Sequence, residues 1–358
     1  MNVERLHRIL IDLNEEITAN NYLGLLQQIQ QHLQNQINQP NQPSHQTNLV
    51  NTLNTLYEKL ESSKYNTFSP SWKQIISEIK GENLFGIELK DKLQDIFASN
   101  TITPANALEE LKKIHTNIQS FHTAIKNILS GFSVLKIGRE DLMPGECEFG
   151  YVIPREYTKS KLLSLKKELG ELNFILSHIA ESISEKEVDF KVKTISSSDF
   201  LLYIIIGLTL ADYLSRIIER ILNNYKTILE IKTLRNQLKQ KGVPEEETKG
   251  IESWVNNLMD QEIKKLADEI IQDYKGEKNR KNELRNALII ALNKLANRID
   301  KGFNVEIRIQ PLPEPEEETD ETKKQVDIIN KIQERAKKIE FIETKGESIL
   351  SLPETNEK

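Results

Sequence analysis

The sequence contains little that would cross-link the chain or interrupt a helix. It has one cysteine, Cys147, with 14 glycines and 11 prolines in 358 residues. A single cysteine excludes a disulfide framework within the chain and favours a reducing, cytoplasmic environment. The scarcity of glycine and proline, beside many Leu, Ile, Lys and Glu residues, favours helix. The N-terminus lacks the basic and apolar regions of a signal peptide, so we expect a cytoplasmic, bacterial protein.

A strong excess of one charge is also missing from most of the chain. The net charge is −6, and residues 311–358 carry 13 acidic and 8 basic side chains, which accounts for −5 of it. The remaining body is almost neutral and has no general attraction to nucleic acid. The basic cluster Lys275–Arg285 has no aromatic residue for stacking on bases. We therefore expect no nucleic-acid partner, although nucleic-acid binding stays a third hypothesis.

Motifs for nucleotide, hydrolytic and zinc chemistry are absent from the sequence. It contains no phosphate-binding loop, no dinucleotide-binding glycine motif, no G-x-S-x-G and no H-E-x-x-H. Cys147 alternates with Phe149 and Tyr151, which indicates a buried small side chain rather than a nucleophile. His178, Glu181 and Glu185 share one side of a predicted helix, and a solvated face explains them better than a metal. We predict no cofactor and no metal, and an enzyme is the less favoured alternative.

The hydrophobic spacing predicts a mostly α protein with a small antiparallel β-sheet, an α+β fold with long coiled-coil-like helices. We expect an all-helical domain over residues 1–130 and an α+β domain over 131–310. Its strands are predicted at 132–137, 146–153, 188–195 and 303–309. In the last three, polar and apolar residues alternate, so we expect an inward face that includes Cys147, Phe149, Tyr151 and Ile153, and an outward face that includes Glu148 and Glu306. The first two strands are expected to form a hairpin.

Two long helices are expected in the second domain. Between about Thr158 and Ser184, leucines and isoleucines recur at alternating spacings of three and four, as in a coiled coil. A second helix is predicted from Phe200 to about Lys239. Its first part, Phe200–Ala211, is apolar all round but too short to cross a bilayer, and Asp212 follows it. We therefore predict no membrane partner.

The C-terminal part of the sequence differs from the body. Residues 311–321 form an acidic, proline-containing stretch that we predict to be a disordered linker. Residues 322–358 then contain an amphipathic pattern that begins at Val326. This pattern predicts a tethered helix that docks on its own body or in a partner's groove.

Two sets of residues are candidates for ligand binding. Ser196, Ser197 and Ser198 precede the predicted helix at Phe200, where free backbone N–H groups suit an anion. The alternative is that these serines and Asp199 cap that helix. The second set is a stripe of asparagines on one face of the predicted helix Glu277–Ile299, joined by Arg285 and Arg298. Its members are Asn282, Asn286, Asn293 and Asn297, of which we single out Asn286, Asn293 and Asn297 for binding.

These observations favour a non-enzymatic interaction or scaffold protein that acts through helical surfaces, as a subunit of a larger assembly. We expect a protein partner or a homo-oligomer. The alternative is an enzyme or ligand sensor with an anion site at Ser196–Asp199 and the asparagine stripe.

Overall fold

The structure, a computed structural model, describes residues 2–184, 190–195, 200–313, 319–342 and 348–355. Over these residues the chain is mostly helical with a four-stranded antiparallel sheet, so the predicted α+β class is confirmed. The chain divides into two compact units, Met1–Asp141 and Leu142–Lys358. Each unit has its own hydrophobic core.

The first unit is built from amphipathic helices that bury one apolar face each. Asn2 caps the first of them, because its side chain accepts the backbone N–H of Glu4 at 2.8 Å. Proline occupies the first turn of three others, where its missing N–H costs nothing. The helices are α1 (Val3–Ala19), α2 (Tyr22–Asn38), α3 (Pro43–Glu61), α4 (Pro70–Glu78), α5 (Gly86–Ser99) and α6 (Pro104–Val134), with a 3₁₀ turn at Lys64–Thr67.

The strand predicted at 132–137 is wrong, because α6 continues through Gly131 to Val134. A short apolar run does not by itself distinguish a strand from the end of a helix. A glycine inside a helix lowers stability only modestly. Gly131 therefore does not have to end the helix, and α6 continues beyond it. The hairpin predicted between this segment and residues 146–153 is therefore also wrong.

The second unit combines the sheet with long helices. Its strands are β1 (Cys147–Ile153), β2 (Lys191–Ile195), β3 (Phe200–Ile206) and β4 (Asn304–Ile309). Its helices are α7 (Arg155–Thr158), α8 (Leu162–Ser184), α9 (Leu208–Gln240), α10 (Glu245–Gln272), α11 (Lys278–Asp300) and α12 (Asp320–Ala336).

The sheet has the strand order β2-β3-β1-β4, and all its neighbours are antiparallel. Phe149 in β1 lies opposite Ile204 in β3 and Ile307 in β4. The predicted inward face of β1 is confirmed, since Cys147, Phe149, Tyr151 and Ile153 are all buried. Polar residues predicted to point outward, among them Glu148 and Glu306, are buried as well.

The helix predicted to begin at Phe200 is wrong in its first seven residues. Phe200–Ile206 is β3, one of the two inner strands of the sheet, and α9 begins at Leu208 with Gly207 as its N-cap. The successive β-branched residues Ile204–Ile206 favour a strand. β3 is apolar throughout, so it lacks the alternation of polar and apolar residues that identifies β1.

The leucine and isoleucine seam of α8 is buried only in its second half. Leu172, Leu176 and Ile179 are in the core, whereas Leu162 is 82% exposed. The core beneath this half is shared with α9, α10, α11 and the sheet. Long helices are therefore present as predicted, and they pack as layers on a sheet.

The amphipathic pattern near the C-terminus forms α12, which docks on the second unit itself. Ile329 and Ile332 are buried in the unit's core. Arg335 Nη1 donates to Asp212 Oδ1 on α9 at 2.6 Å. Of the predicted disordered linker, residues 314–318 lie outside the described residues. No helix in the described part of the chain is both long and apolar enough to span a bilayer.

Candidate functional site: a polar face of α11 that holds the C-terminal segment

Residues 348–355, here called the tail segment, lie along α11 without forming helix or strand. Ile349, Leu350 and Leu352 are buried in the core of the second unit, each at most 6% exposed. Ser351 and Pro353, on either side of Leu352, are exposed. A segment without secondary structure needs partners for its buried backbone groups, and the neighbouring helices supply them.

Two asparagines pair with the tail backbone as a neighbouring strand would. Asn297 on α11 accepts the N–H of Leu352 at 3.0 Å and donates to the carbonyl of the same residue at 3.0 Å. Asn256 on α10 accepts the N–H of Ser351 at 2.7 Å and donates to the carbonyl of Ile349 at 2.9 Å. A carboxamide offers a donor and an acceptor at once, which matches one edge of a peptide.

Asp300, at the end of α11, holds the beginning of the tail segment. Its Oδ2 accepts the N–H groups of Ile349 at 2.6 Å and Leu350 at 2.7 Å. Its Oδ1 accepts Tyr225 OH at 2.8 Å and Lys232 Nζ at 3.1 Å, both from α9. The Asp300 carboxylate is fully buried and Lys232 is 1% exposed. The charge is thus balanced by one cation and three neutral donors, which a buried carboxylate requires.

Asn293, one turn before Asn297, contacts the tail through only one end of its amide. Its Nδ2 donates to the carbonyl of Pro353 at 2.8 Å. Its buried Oδ1 accepts no hydrogen bond from the residues that the structure describes. The Leu352–Pro353 peptide is trans and its carbonyl faces Asn297, so residue 353 meets α11 through its own carbonyl only.

Glu354 ends the contact with three partners on α11. Asn297 Nδ2 donates to its Oε1 at 2.9 Å, while Lys294 Nζ and Arg298 Nη1 lie 3.6 Å from its Oε2. Burial alone would raise the pKa of Glu354. The Asn297 hydrogen bond and the charges of Arg298, Lys301 and Lys294 outweigh burial and lower that pKa below its usual range.

Beyond Glu354 the face of α11 continues as an open groove of about 600 Å³ between α8 and α11. Phe174 forms one wall, with Lys294 Nζ 5.4 Å from its ring centre. Ala287 and Ile290 of α11 form the other, and Thr355 of the tail lies at the edge. Gly170 on α8 also lines the groove, and a Cβ added there would meet open space.

The predicted asparagine stripe is therefore divided. Asn293 and Asn297 are buried beneath the tail segment, whereas Asn282 and Asn286 are exposed on α11. Arg298 is buried too, in an ion pair with Glu168 of α8 at 2.8 Å. The binding role proposed for Asn286 gains no support from these contacts, and it stays a prediction.

The serine candidates Ser196, Ser197 and Ser198 lie outside the described residues, so their binding role is untested. The helix expected to follow them is replaced by strand β3. The described residues on either side of them belong to the antiparallel strands β2 and β3. The argument for an anion site depended on free N–H groups at a helix N-terminus, and it therefore no longer holds.

Sequence reasoning missed Asn256, Asp300 and the tail segment. Two signals were available in the sequence. Asp300 ends a helix, where a negative charge opposes the helix dipole and needs a compensating partner. The apolar group Ile349, Leu350 and Leu352 stands in an otherwise polar C-terminal stretch.

Other reactive groups have structural roles. Burial raises the pKa of the Cys147 thiol to about 12, so it is a poor nucleophile at neutral pH. Within the described residues, no group of three His, Cys, Asp or Glu side chains is placed to hold a metal ion. In the basic cluster, Arg280 pairs with Glu181 and Arg285 pairs with Asp268.

Comparison with protein-family models, curated proteins and solved structures finds no match for this chain.

Proposed function

We propose that this chain is a non-enzymatic interaction protein that binds an extended polypeptide segment along α11, and that its own tail segment is a built-in competitor for that site. The observation that carries the proposal is a set of hydrogen bonds. Asn256, Asn293, Asn297 and Asp300 make seven hydrogen bonds to the backbone of residues 349–353.

Recognition of this kind depends on the backbone and on a few side chains. Backbone hydrogen bonds give affinity that tolerates many sequences, and pockets for selected side chains give specificity. Here the side-chain positions are those of Ile349, Leu350 and Leu352, which are buried, and Glu354, which meets Lys294 and Arg298. A ligand is thus an extended segment with clustered aliphatic residues followed by an acidic residue.

The tail competes because it is tethered to the unit that binds it. A segment of the same chain is present at a high effective concentration, so a partner must bind better than the tail to replace it. This arrangement would keep the site closed until a suitable partner is present.

An exposed helical surface supports a further part of the proposal, that the chain is a subunit of a larger assembly. Leu162 and Leu163, at the start of α8, are 82% and 78% exposed, and Leu162 belongs to the seam that is buried further along the helix. Such an exposed apolar end suits a partner helix or a second copy of the chain in a coiled-coil-like contact. A reducing cytoplasm agrees with the single cysteine.

The test uses the full chain with Leu352→Ser, which weakens tail docking, and a labelled peptide of residues 348–358. We expect this variant to bind the peptide at least about tenfold more tightly than the unmodified chain, because the competing tail is released. Leu163→Ser is the matched control, because Leu163 is exposed and should leave the peptide affinity unchanged. A folded Leu352→Ser chain, verified by circular dichroism, that binds no peptide would refute the proposal.

A further inference from the structure

The start of α8 combines exposed leucines with lysines, and we infer from this combination the chemistry of the helix that packs there. The partner is an acidic amphipathic helix of another protein, which carries glutamate or aspartate on both sides of its own apolar seam. A second copy of this chain does not fit the same end. This inference rests on the proposed function, because it describes the partner of the exposed helical surface named there.

The apolar seam of α8 becomes exposed toward the start of the helix. Leu162, Leu165 and Leu169 follow one another at spacings of three and four, as the two core positions of a heptad do. Leu162 is 82% exposed, Leu169 is 38% exposed and Leu165 is half-buried, whereas the seam is buried at Leu172 and Leu176. About two turns of the seam are therefore open to a second helix.

Lysines surround this exposed part of the seam. Residues 159–167 contain four lysines and no acidic residue, in a chain whose net charge is −6. The four are Lys159, Lys161, Lys166 and Lys167, and all of them are exposed. None of them forms an ion pair with another residue in the part of the chain that the structure describes. Their charges are therefore available to a partner.

Two of the lysines occupy the positions that select a partner in a coiled coil. Lys161 directly precedes Leu162 and Lys166 directly follows Leu165, so they lie at the two edges of the seam. Side chains at these edges meet the edges of the opposite helix, where opposite charges favour pairing and like charges oppose it. A second copy would place lysine against lysine in either orientation, whereas an acidic helix pairs with both edges.

An anionic lipid surface also attracts basic and apolar residues that occur together. At the start of α8, however, the exposed leucines keep the heptad spacing of the buried seam, and the lysines lie at its edges. A helix partner requires this spacing, and a lipid surface does not. The spacing therefore favours a helix, and the lipid surface becomes an outcome of the test.

The test measures the binding of two labelled peptides to the full chain by fluorescence anisotropy. Each peptide has three heptads with leucine at both core positions. One has glutamate at the flanking positions and the other has lysine, so like charges oppose self-association of each peptide. We expect the glutamate peptide to bind at least about tenfold more tightly than the lysine peptide at low salt. The difference should shrink as salt is added, because salt screens exposed charges.

Three variants of the chain assign the binding to this end of α8. Lys161→Glu with Lys166→Glu should reverse the preference, so that the lysine peptide binds more tightly. Lys113→Glu with Lys126→Glu is the matched control, because it changes the net charge equally at two exposed positions of α6 and should leave the preference unchanged. Leu162→Ser should weaken binding of the glutamate peptide about tenfold or more. Melting temperatures verify that all three variants fold.

The inference is overturned if the two peptides bind equally, if neither binds, or if the charge reversal on α8 leaves the preference unchanged. It is also overturned by a dimer of the unmodified chain that dissociates on Leu162→Ser. Binding to vesicles of phosphatidylcholine and phosphatidylserine that depends on Leu162, without a preference between the peptides, would assign this end to a lipid surface instead. These results leave the α11 site untouched, because the tail peptide and Leu352→Ser test that site separately.

Discussion

The polar face of α11 carries two asparagines at each of its ends, and the environments of the two pairs differ. Toward the C-terminal end, Asn293 and Asn297 are buried and bonded to the tail segment. Toward the N-terminal end, Asn282 and Asn286 are exposed. The difference is made by a segment that lies more than fifty residues further along the chain. An asparagine on this helix face thus forms such hydrogen bonds only where a segment with unpaired backbone groups lies beside it.

The C-terminal end of this face, which the tail segment covers, also contains buried charged side chains. Asp300, Lys232, Arg298 and Glu168 are all buried there, in two ion pairs of 3.1 Å and 2.8 Å. Ion pairs of this kind contribute little net stability compared with apolar packing, but removal of one partner is costly. Such pairs suit a site in which the fixed direction of hydrogen bonds matters more than stability.

The largest difference between the two ends is expected at Asp300. Asp300→Ala leaves Lys232 buried without its counter-charge and two tail N–H groups without an acceptor. We expect the free energy of unfolding of the second unit to fall by about 3–5 kcal/mol, measured by urea denaturation. Glu283→Ala, at the open end of α11, should change it by less than about 0.5 kcal/mol. Equal effects of the two changes would contradict the buried role of Asp300.

The next effect is expected from Asn297, with Asn286 as the matched residue of the same type. Asn297→Ala removes one donor and one acceptor and leaves the Leu352 backbone groups unpaired, which should cost about 2–3 kcal/mol. Asn286→Ala should change stability by no more than about 0.5 kcal/mol. Hydrogen exchange at Leu352 gives a local measure, and its amide should lose protection only in the Asn297 variant.

The fold was predictable where periodicity is strong. The helices of the first unit, α8, α10, α11 and β4 follow from spacing, and so does the inward set on β1. The errors fall at residues 132–137 and at Phe200–Ile206, where short apolar runs carry no period. In such runs the choice between helix and strand is made by the tertiary packing around them, which no local pattern records.

The site was half predictable. Four asparagines on one face are unusual enough to attract attention, and two of them form hydrogen bonds with the tail segment of the same chain. Which two depends on where the tail segment lies, and Asn256 contributes from another helix. A contact between residues this far apart in sequence leaves no spacing signal in either partner.

The pH dependence of tail docking should depend on Glu354, the last contact before the open groove. Its pKa is lowered in the folded chain, so the charged form stabilises docking above the unfolded value of about 4.5. This contribution is lost as the pH falls from that value through the lowered pKa. We expect the difference in melting temperature between the unmodified chain and Glu354→Gln to be present at pH 6 and to shrink progressively as the pH falls below about 4.5. A difference that is independent of pH would show that the Glu354 charge plays no part.

The smallest effect on the free energy of unfolding is expected at the open end of the α11 face. There a substitution should raise stability, whereas the others lower it. Gly170 lies in the middle of α8, where a glycine destabilises a helix by about 0.5–1 kcal/mol relative to alanine. An added Cβ meets no neighbour, since the groove is open beside it. Gly170→Ala should therefore raise the free energy of unfolding of the second unit by that amount in urea denaturation. Gly150→Ala is the contrasting change, because a Cβ there would lie 2.6 Å from Glu306 Cγ and should destabilise the sheet. A loss of stability in Gly170→Ala would mean that the groove is closed in solution. The groove would then be part of the packed core, and the two ends of the α11 face would no longer differ in the way described.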